Sequence, residues 1–542
     1  MTVPHVGSAI VEALIDGGVE WASCVPGESF LPVIDGFREH ADDARLVTFR
    51  HEASAVQAAV AHGRRTGRAG VCLVTRGPGA LHAAIGVHSA EQDAAPLLLL
   101  VGQIASGDRG RGAFQEISSG AVFGSMSKWV ASIDTAERAR ETILRALRIA
   151  ESGRPGPVVV ELPEDILYHP AVNAVRAQPV RLEDVTSPAV VAEIVESLEQ
   201  AAKPLVLLGR GSWDTEHHRL VQEFAEANDV PVVAAFRCQD GIDNDSTAYI
   251  GHLGFGTDPA LARTVGEADL VIALGGHFGD IDTDGYERPV GAPGARIIHV
   301  AASEQDVERV WPADVIAILP TLNVLRDLAA APIAEPRWSA WASAARADLE
   351  SFSTPAPDDV VAHMVHAASA LVPEETIVCN GAGNYAVWVH RFHRYRTAGS
   401  QSAPVSGAMG FGLPAGIAAT LSRPDTTTLV YAGDGCFLMS VAEMATVATN
   451  DLPVIIVVFD NGLYGTIRTH QDRRFPGNAF ATDLGNPDFV SLAESFGITA
   501  SRAETVEEFE EALRTALDSR RAHLIHVPTS GGPLTPLKAS AA

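Results

Sequence analysis

Two polar side chains in the last third of the chain have the types and spacing of a metal site. Asp434 lies in Gly433-Asp434-Gly435 after the run TTLVYA, and Asn461 follows the run LPVIIVVF and one aspartate. The intervening FLMSVAEMATVATN has apolar residues at helical spacing, which predicts a strand–helix–strand unit. Its crossover places Asp434 and Asn461 at the carboxyl ends of two parallel strands, where α/β sheets bind ligands. A carboxylate and an amide oxygen are hard donors, so with a backbone carbonyl and phosphate oxygens they suit Mg²⁺.

The glycines beside Asp434 predict an anion next to this cation. Gly433 and Gly435 allow a tight turn with exposed N–H groups, and the following helix directs its N-terminus at the same point. The alternative is that Gly-Asp-Gly and the later Asp-Asn are two unrelated turns. The strand–helix–strand context favours a single site.

A third candidate, Glu52, lies far from Asp434 in the sequence. It follows the strand-like run LVTF and opens the helical stretch EASAVQAAVAHGRR. A glutamate in a first helical turn is favourable through the helix dipole whether or not it has a function. Glu52 is therefore either a helix-stabilising residue or, together with the Asp434 site, a catalytic acid.

The elements that must position these residues are short apolar runs alternating with amphipathic helical stretches along the whole chain. Near-continuous apolar strands between helices indicate parallel sheets covered on both faces. We therefore expect an α/β protein. The predicted strands lie at 46–49, 69–75, 96–102, 156–162, 204–209, 230–235, 270–276, 295–300, 376–380, 427–433, 452–459 and 522–527.

Two polar, proline-containing segments, 171–187 and 331–356, interrupt this rhythm. We interpret both as linkers, because 542 residues are too many for one ordinary core. Three doubly wound parallel-sheet domains result, at 1–170, 188–332 and 353–542, and each has a usual domain size.

Composition limits the partners and the compartment. The net charge of −27 argues against nucleic acid and anionic membranes as partners. The five cysteines have no paired spacing, so we expect buried free thiols in a reducing compartment. The first residues show no signal-peptide pattern, and the longest apolar run, PLLLLVG, is too short to span a bilayer. A cytoplasmic location is the expectation.

The metal-site pattern resembles a known family motif. Gly433-Asp434-Gly435, 24 intervening residues and then Asp460-Asn461 are similar to the thiamine diphosphate motif, Gly-Asp-Gly followed by Asn-Asn. The resemblance implies thiamine diphosphate and Mg²⁺ as cofactors, with metal ligands Asp434, Asn461 and the carbonyl of Leu463. The first Asn of the usual pair is Asp460 here, which adds a negative charge and leaves the metal-binding second Asn in place.

Two further stretches carry the same resemblance. APVSGAMGFGLPAGIAA resembles the loop that bends the cofactor over Met409, although a Met is more often a core residue. NGAGNYAVW resembles the strand end that binds the diphosphate. Glu52 is implied as the acid that activates the aminopyrimidine ring. The implied cofactor-binding residues are Glu52, Ala382, Gly383, Asn384, Tyr385, Gly407, Met409, Gly433, Asp434, Gly435, Cys436, Asn461, Leu463, Tyr464 and Gly465.

Within the family, stretches 75–104, 112–117, 128–130 and 154–165 resemble the acetolactate (acetohydroxyacid) synthase group. The resemblance implies pyrimidine-binding, central and diphosphate-binding domains and a 2-oxo acid substrate. It implies decarboxylation followed by carboligation to a second carbonyl. The alternatives are a 2-oxo acid decarboxylase that releases an aldehyde, a lyase of 2-hydroxyacyl or acyloin C–C bonds, and a non-catalytic regulatory subunit. The last is disfavoured because Glu52, Asp434 and Asn461 are all retained.

The substrate pocket is less well defined by the sequence. Glu28 stands where synthases usually have Gly and decarboxylases an acid, so it is either a proton relay or a structural acid. We predict Glu52, Glu28, Gln115 and His470 as catalytic residues. The predicted substrate contacts are Phe114, Ile467, Arg468 and Gln471, with His470 and Arg468 together holding a carboxylate. For 464–480 the alternative is a helix face that only covers the site.

The central domain resembles the one that holds FAD in the synthases, at 208–213, 252–261 and 274–280. The synthases carry acidic residues after the strand at 295–300, whereas Ala-Ala-Ser follows it here. Because a glycine loop alone is weak support, we expect a structural domain, with bound FAD as the alternative. In this family the cofactor lies between two subunits, so we expect a homo-oligomer, a dimer or tetramer, with active sites at the subunit interface.

Overall fold

The computed structural model describes residues 4–172, 188–211, 213–276, 278–329, 331 and 336–536. Within these residues the strands form three six-stranded sheets in which every pair of neighbouring strands is parallel. Helices lie between the strands along the chain. The predicted α/β fold with three parallel-sheet units is confirmed.

The first unit contains strands β1 (Trp21–Cys24), β2 (Arg45–Thr48), β3 (Gly70–Val74), β4 (Leu97–Gln103), β5 (Trp129–Ser132) and β6 (Pro157–Pro163). Its helices are α1 (Val6–Asp16), α2 (Leu31–Glu39), α3 (Glu52–Thr66), α4 (Pro78–His82), α5 (Ala84–Gln92), α6 (Ser119–Phe123), α7 (Ala139–Glu151) and α8 (Glu164–Leu167). The strand order is β2-β1-β3-β4-β6-β5.

The central unit contains β7 (Pro204–Leu208), β8 (Val232–Ala234), β9 (Tyr249–His252), β10 (Leu270–Leu274), β11 (Arg296–Ala301) and β12 (Val315–Ile318). Its helices are α9 (Pro188–Gln200), α10 (Thr215–Ala227), α11 (Pro259–Glu267), α12 (Thr321–Ala329) and α13 (Ser339–Phe352). The order β12-β11-β10-β7-β8-β9 is that of dinucleotide-binding sheets.

The third unit contains β13 (Ile377–Asn380), β14 (Gln401–Ser402), β15 (Thr428–Gly433), β16 (Val454–Asp460), β17 (Thr499–Arg502) and β18 (His523–Pro528). Its helices are α14 (Val360–Leu371), α15 (Tyr385–Phe392), α16 (Gly412–Ser422), α17 (Asp434–Leu438), α18 (Met444–Thr449), α19 (Gly465–Arg474), α20 (Phe489–Ser495) and α21 (Val506–Ser519). The order β14-β13-β15-β16-β18-β17 repeats the topology of the first unit.

Short 3₁₀ helices occur at Glu28–Phe30, Ser106–Asp108, Ala136–Arg138, Gln239–Gly241, Glu304–Asp306 and Val441–Glu443. The last of these corrects one prediction. The single helix expected between Asp434 and Asn461 is broken into α17, the 3₁₀ turn and α18. The break places Glu443 in a turn, where its side chain faces the first unit.

The first and third units share a hydrophobic core. Helix α3 packs against α16, and one cluster of buried residues contains members of both units. At the edge of this contact Trp21 Nε1 donates to Ser422 Oγ over 3.3 Å, and His62 Nδ1 lies 2.8 Å from the same oxygen. The two units of one chain are therefore fixed relative to one another by a packed interface.

The prediction of a linker at 331–356 is wrong for Ser339–Phe352, because these residues form α13. Trp338, just before this helix, is 2% exposed in the core of the central unit. Its Nε1 donates to Asn228 O over 3.0 Å, and Arg346 Nη1 donates to Tyr249 O over 2.9 Å. Polar residues and flanking prolines hid a helix that buries one face. The other predicted linker, 171–187, lies outside the described residues except for 171 and 172.

The structure bears on two predictions from composition, which concern the cysteines and membrane-spanning segments. All five cysteines are free and buried, as expected. No helix in the part of the chain that the structure describes is long and apolar enough to cross a membrane.

Candidate functional site

The ends of β15 and β16 place Asp434 and Asn461 beside one another. The two strands are neighbours, with Gly433 opposite Phe459. β15 ends at Gly433 and β16 at Asp460, so each polar residue follows directly after its strand. The predicted arrangement of two neighbouring strand ends is thus present, although the ligand roles of these residues stay predictions.

Asp434 belongs to a buried polar cluster that the motif did not reveal, the Asp434 cluster (Asp434, Asp460, Asn486 and His526). Asp434 Oδ2 accepts hydrogen bonds from Gly462 N (2.9 Å) and from Asn486 Nδ2 (2.7 Å). Asp460 Oδ1 accepts from Asn486 Nδ2 over 2.8 Å, and Asp460 Oδ2 lies 3.0 Å from His526 Nε2. One amide group therefore bridges two carboxylates, and one imidazole contacts the second.

The electrostatics of the Asp434 cluster fit a cation. Burial, more than the nearby charge of Asp460, raises the pKa of Asp434. Burial by itself also raises the pKa of Asp460, but hydrogen bonds from His526 and Asn486 outweigh it, so this pKa lies below its ordinary value. Asn486 Oδ1 is buried with no hydrogen-bond partner among the described residues. Two adjacent carboxylates with an unpartnered oxygen nearby form a site that a divalent cation stabilises.

The other two predicted metal ligands lie in the turn after β16. Asn461 Oδ1 accepts from Leu463 N over 3.0 Å. The hydrogen bonds that join this turn to residues 482–484 run from Tyr464 N to Thr482 O and from Leu484 N to Gly462 O, both 2.8 Å long. The carbonyl of Leu463 takes part in neither bond. A carboxylate, an amide oxygen and a carbonyl are the donor set that Mg²⁺ prefers, so the residues present fit this ion.

A cradle of glycines surrounds Asp434. A Cβ added at Gly433 would meet Tyr385 Cδ1 at 2.9 Å, and one at Gly435 would meet Tyr464 Cε1 at 2.7 Å. Gly383 has φ +147°. Side chains are excluded at these positions, which leaves backbone N–H groups to approach an anion as closely as diphosphate binding requires.

Tyr385 and Cys436 lie beneath this cradle and act as supports. The Tyr385 hydroxyl accepts from Gly381 N (2.9 Å) and donates to Cys436 Sγ (3.5 Å). Cys436 Sγ also accepts from Gly410 N over 3.2 Å. Cys436 therefore joins the cradle to the loop that carries Met409.

Hydrogen bonds with residues of the first unit hold the loop that contains Gly407 and Met409. Ser406 N donates to Asp93 Oδ1 over 3.1 Å, and Arg64 Nη1 donates to Ala403 O. Gly407 has φ +70° and is exposed, and Met409 is half-buried. The loop thus presents both predicted cofactor contacts at the surface of the chain.

Helix α19 holds three of the predicted substrate contacts, Ile467, Arg468 and Gln471, and the last two contact the loop that follows. Arg468 Nε donates to Thr482 Oγ1 and its Nη2 to Asp483 Oδ1, each over 2.8 Å. Gln471 Nε2 donates to Phe480 O over 2.8 Å, and its Oε1 accepts from Phe480 N over 3.2 Å. Arg468 and Gln471 therefore fold residues 475–483 against the helix.

The joint role of His470 and Arg468 in holding a carboxylate stays a prediction, and His470 has another arginine as its neighbour. Arg473 Nη2 contacts His470 Nδ1 at 3.1 Å. Asn384 instead joins this helix to the cradle, because its Oδ1 accepts from Thr466 Oγ1 over 2.7 Å. Ile467 is 53% exposed and is open to a ligand.

Glu52 is the first residue of α3, as predicted, and the third unit fixes the start of this helix. The Glu443 carboxylate, which is fully buried, accepts from Arg50 N (3.2 Å) and His51 N (3.1 Å). Thr446 Oγ1 donates to the same carboxylate over 2.6 Å. Glu52 Oε2 itself lies 2.9 Å from His82 Nδ1.

Glu28 and the carbonyl of Phe114 contact the same buried arginine, Arg76, and Gln115 follows Phe114 in the chain. Arg76 Nη2 donates to Glu28 Oε1 (3.2 Å), Nη1 to Glu164 Oε2 (2.9 Å) and Nε to Phe114 O (3.3 Å). Gln115 has φ +62°, an uncommon conformation for a residue other than Gly. The structure therefore brings the first-unit substrate candidates together and places Glu28 in an ion pair.

Glu52 and the Asp434 cluster make no direct contact within the described residues. In the residues that the structure describes, no hydrogen bond or ion pair joins the Glu52 carboxylate to the cradle or to the Asp434 cluster; its partner is His82. The apolar residues Leu81 and Ile85, which flank His82, are 54% and 41% exposed. Met439, next to the cradle, is 54% exposed.

The central sheet has a dinucleotide-binding order, and the loops after β7 and β10 lie close together at its switch point. A Cβ at Gly209, after β7, would lie 2.3 Å from Gly276 O, after β10. Arg210 O accepts from Gly276 N over 2.6 Å, and Arg210 Nη2 lies 3.6 Å from Asp282 Oδ2. The two loops contact each other directly where a pyrophosphate would bind in such sheets.

Three family models match the chain, in the order of its three sheets. The thiamine pyrophosphate enzyme N-terminal TPP binding domain matches residues 4–122, the central domain 191–328 and the C-terminal TPP binding domain 381–527. The fold and the site thus define a thiamine diphosphate-dependent enzyme.

Comparison with curated proteins shows which group of thiamine diphosphate enzymes the chain resembles. The chain is 31% identical to the acetolactate synthase isozyme 2 large subunit of Escherichia coli (strain K12), over 96% of this chain and 94% of that protein. It is 30% identical to the probable acetolactate synthase large subunit of Methanocaldococcus jannaschii, over 97% and 93%. It is also 30% identical to the acetolactate synthase large subunit of Parasynechococcus marenigrum (strain WH8102), over 97% and 87%. The chain belongs to the acetolactate synthase-like group of thiamine diphosphate enzymes.

Sequence reasoning missed several residues that shape the site. Asn486 lies 52 residues from Asp434, and His82 lies 30 residues from Glu52, so spacing alone pairs neither. Arg76 directly precedes Gly77-Pro78-Gly79, and its position in that turn was the available signal.

Proposed function

We propose that the protein is a Mg²⁺- and thiamine diphosphate-dependent enzyme that decarboxylates a 2-oxo acid and joins the acyl unit to a second carbonyl compound. One observation carries this proposal. Asp434 and Asn461 directly follow two neighbouring strands, and Leu463 lies in the turn after the second strand, beside a glycine cradle. They do so in a chain similar to acetolactate synthases over nearly its whole length.

The chain's own residues have distinct tasks in this proposal. When bound, thiamine diphosphate supplies the electron sink that loss of CO₂ from a 2-oxo acid requires. Asp434, Asn461 and Leu463 hold Mg²⁺, and the cradle binds the diphosphate. Met409 would lie against the cofactor, and Glu52 would supply the acid–base group for its aminopyrimidine ring.

Glu28 is the residue on which the decarboxylase alternative depends. Release of an aldehyde requires a proton donor near the reacting carbon, and Glu28 was the candidate. The guanidinium of Arg76 already contacts this carboxylate over 3.2 Å and that of Glu164 over 2.9 Å. The Glu28 side chain is nevertheless 71% exposed, so this ion pair leaves it accessible, and the products of the reaction decide between carboligation and simple decarboxylation.

We further propose that the enzyme is a cytoplasmic homodimer or homotetramer with active sites between subunits. The free, buried cysteines suit a reducing compartment. A site divided into two half-sites, with the exposed Leu81, Ile85 and Met439 beside them, suits a surface that a second copy covers. The direct contact between Gly209 and Gly276 supports a central domain that does not bind FAD. An absorption spectrum of the purified protein tests whether FAD is bound.

The reaction is tested by incubating the protein with pyruvate, thiamine diphosphate and Mg²⁺ and identifying the products by NMR. We expect acetolactate or acetoin-type products. Glu52→Gln is expected to lower turnover by at least about 100-fold, because it removes the acid–base group. Glu507→Gln, on the exposed face of α21, is the matched control and is expected to leave turnover unchanged.

Acetaldehyde as the sole product would refute carboligation and support the decarboxylase. Binding of the cofactor without turnover of any 2-oxo acid would point to the lyase or to a regulatory subunit. Full activity of Glu52→Gln would refute its role in activation.

A further inference from the structure

The carboxylate of Glu52 has a partner that the family motif does not specify. His82 is the last residue of α4, and its Nδ1 lies 2.9 Å from Glu52 Oε2. The Glu52 side chain is 13% exposed and that of His82 is 53% exposed. In the described part of the chain this is the one side-chain hydrogen bond of the Glu52 carboxylate.

His82 is itself held by stacking. The rings of His51 and His82 are nearly parallel, with centroids 4.7 Å apart and an angle of 26° between their planes. His51 is fixed because its Nδ1 accepts from Ala53 N over 3.1 Å, which caps α3, and because its own N–H donates to Glu443. The third unit thus fixes His51, His51 stacks on His82, and His82 contacts Glu52.

The hydrogen bond divides the two oxygens of Glu52 between different tasks. An ionised carboxylate only accepts hydrogen bonds, so the proton in this contact is then on His82 Nδ1. Oε2 is occupied by His82. Oε1 faces Gly79, where an added Cβ would lie 3.3 Å from it. Because Gly79 has no side chain, Oε1 is the oxygen left open to a ligand.

We propose that His82 is a positioning residue that holds Glu52 by its Oε2 and presents Oε1 to the aminopyrimidine ring of the cofactor. This inference rests on the proposed function, because it assigns His82 a task in the same site. A charge-assisted hydrogen bond fixes the carboxylate rotamer before the cofactor binds, which improves both cofactor affinity and turnover.

Two substitutions at His82 separate the hydrogen bond from the shape of the residue. His82→Phe keeps a flat ring for the stack with His51 and removes the donor. His82→Asn places an amide N–H close to the position of Nδ1. His88→Asn is the matched control, because His88 is exposed on the adjacent α5.

His82→Phe is expected to lower kcat by roughly 10- to 100-fold, the usual effect of losing a supporting hydrogen bond. The KM for the 2-oxo acid is expected to change little, because His82 contacts Glu52 rather than the substrate. His82→Asn is expected to recover most of the loss. Equal losses in the Phe and Asn variants would overturn the proposal, as would an unchanged kcat in His82→Phe.

Calorimetric binding of thiamine diphosphate in the presence of Mg²⁺ and without substrate gives a second readout, which is independent of the reaction. His82→Phe is expected to raise the Kd in the wild-type background and to have no further effect in a Glu52→Ala background, because His82 acts through Glu52. An equal effect in both backgrounds would overturn the proposal. If the wild-type protein turns over no 2-oxo acid, the proposed function fails, and this binding cycle still decides the role of His82.

Discussion

At the scale of single residues, Asp460 is the main departure of the metal site from the family motif. Its carboxylate lies beside that of Asp434, and both accept hydrogen bonds from the same Asn486 amide group. His526, which is 4% exposed, contacts the other oxygen of Asp460. Asp460 thus adds a negative charge to the site and is held in a fixed orientation by two side chains.

Asp460→Asn is expected to weaken Mg²⁺ binding. The substitution restores the usual Asn and keeps the shape, but it removes a charge next to the cation, at a cost of roughly 1 kcal/mol or about fivefold in Kd. Titration with Mg²⁺ at saturating thiamine diphosphate measures the change. Asp472→Asn, which removes an exposed charge from α19, is the control. Equal Mg²⁺ affinity in wild type and Asp460→Asn would contradict the role given to this charge.

The spacing of the motif was sufficient to place Asp434 and Asn461 but not the residues around them. Both follow strands that are recognisable as apolar runs, so their meeting at neighbouring strand ends follows from the fold. Asn486 and His526 reach the cluster from a loop and from β18, and no local pattern marks them. The substrate candidates Arg468 and Gln471 were chosen by position, whereas their long side chains contact residues 480–483.

At the scale of elements, all twelve predicted strands are present, and five of the six strands that were missed share a physical reason. Five of the missed strands, β5, β9, β12, β14 and β17, are the edges of their sheets. Edge strands are covered on fewer sides, so sequences such as QS and TASR need no continuous apolar run. The sixth, β1, is a buried interior strand with the sequence WASC, whose small and polar residues gave no signal.

The turn between α17 and α18 shows how an element break serves the site. Glu443 lies in the 3₁₀ turn Val441–Glu443 and reaches across to the backbone of Arg50 and His51. Burial raises the pKa of Glu443, although the hydrogen bonds from Thr446, Arg50 and His51 oppose this rise. The broken helix therefore connects the third unit with the start of α3 and with Glu52.

Glu443→Gln is expected to lower the free energy of unfolding by about 2 kcal/mol. The two carboxylate oxygens of Glu443 accept from Arg50 N, His51 N and Thr446 Oγ1, whereas an amide has only one acceptor oxygen for these donors. The substitution is also expected to lower kcat/KM, because the start of α3 loses its support. Urea denaturation and steady-state kinetics measure the two effects. Glu507→Gln, a substitution on an exposed helix face, supplies the comparison. A Glu443→Gln protein with wild-type stability would show that this contact does not hold the units together.

At the scale of the whole molecule, no hydrogen bond or ion pair joins Glu52 to the Asp434 cluster in the described part of one chain, and we propose that they belong to two half-sites. The first and third units are locked together by the α3–α16 interface, so Glu52 and the Asp434 cluster cannot approach one another without breaking a shared core. The first and third units have the same strand order. In a symmetric dimer, the first unit of one copy would therefore pack against the third unit of the other copy. Glu52 of one copy would then act on the cofactor held by Asp434 of the second copy.

This arrangement predicts that two inactive variants restore activity to each other. In a dimer of Glu52→Gln with Asp434→Ala, one site carries both substitutions and the other site carries neither. Random pairing makes half of the dimers mixed, so co-expression is expected to recover about a quarter of wild-type activity. Pairing Glu52→Gln with a chain that carries both substitutions leaves no intact site and is the control. Mixed dimers that are isolated through two different tags and remain inactive would place Glu52 and Asp434 of one active site in the same chain.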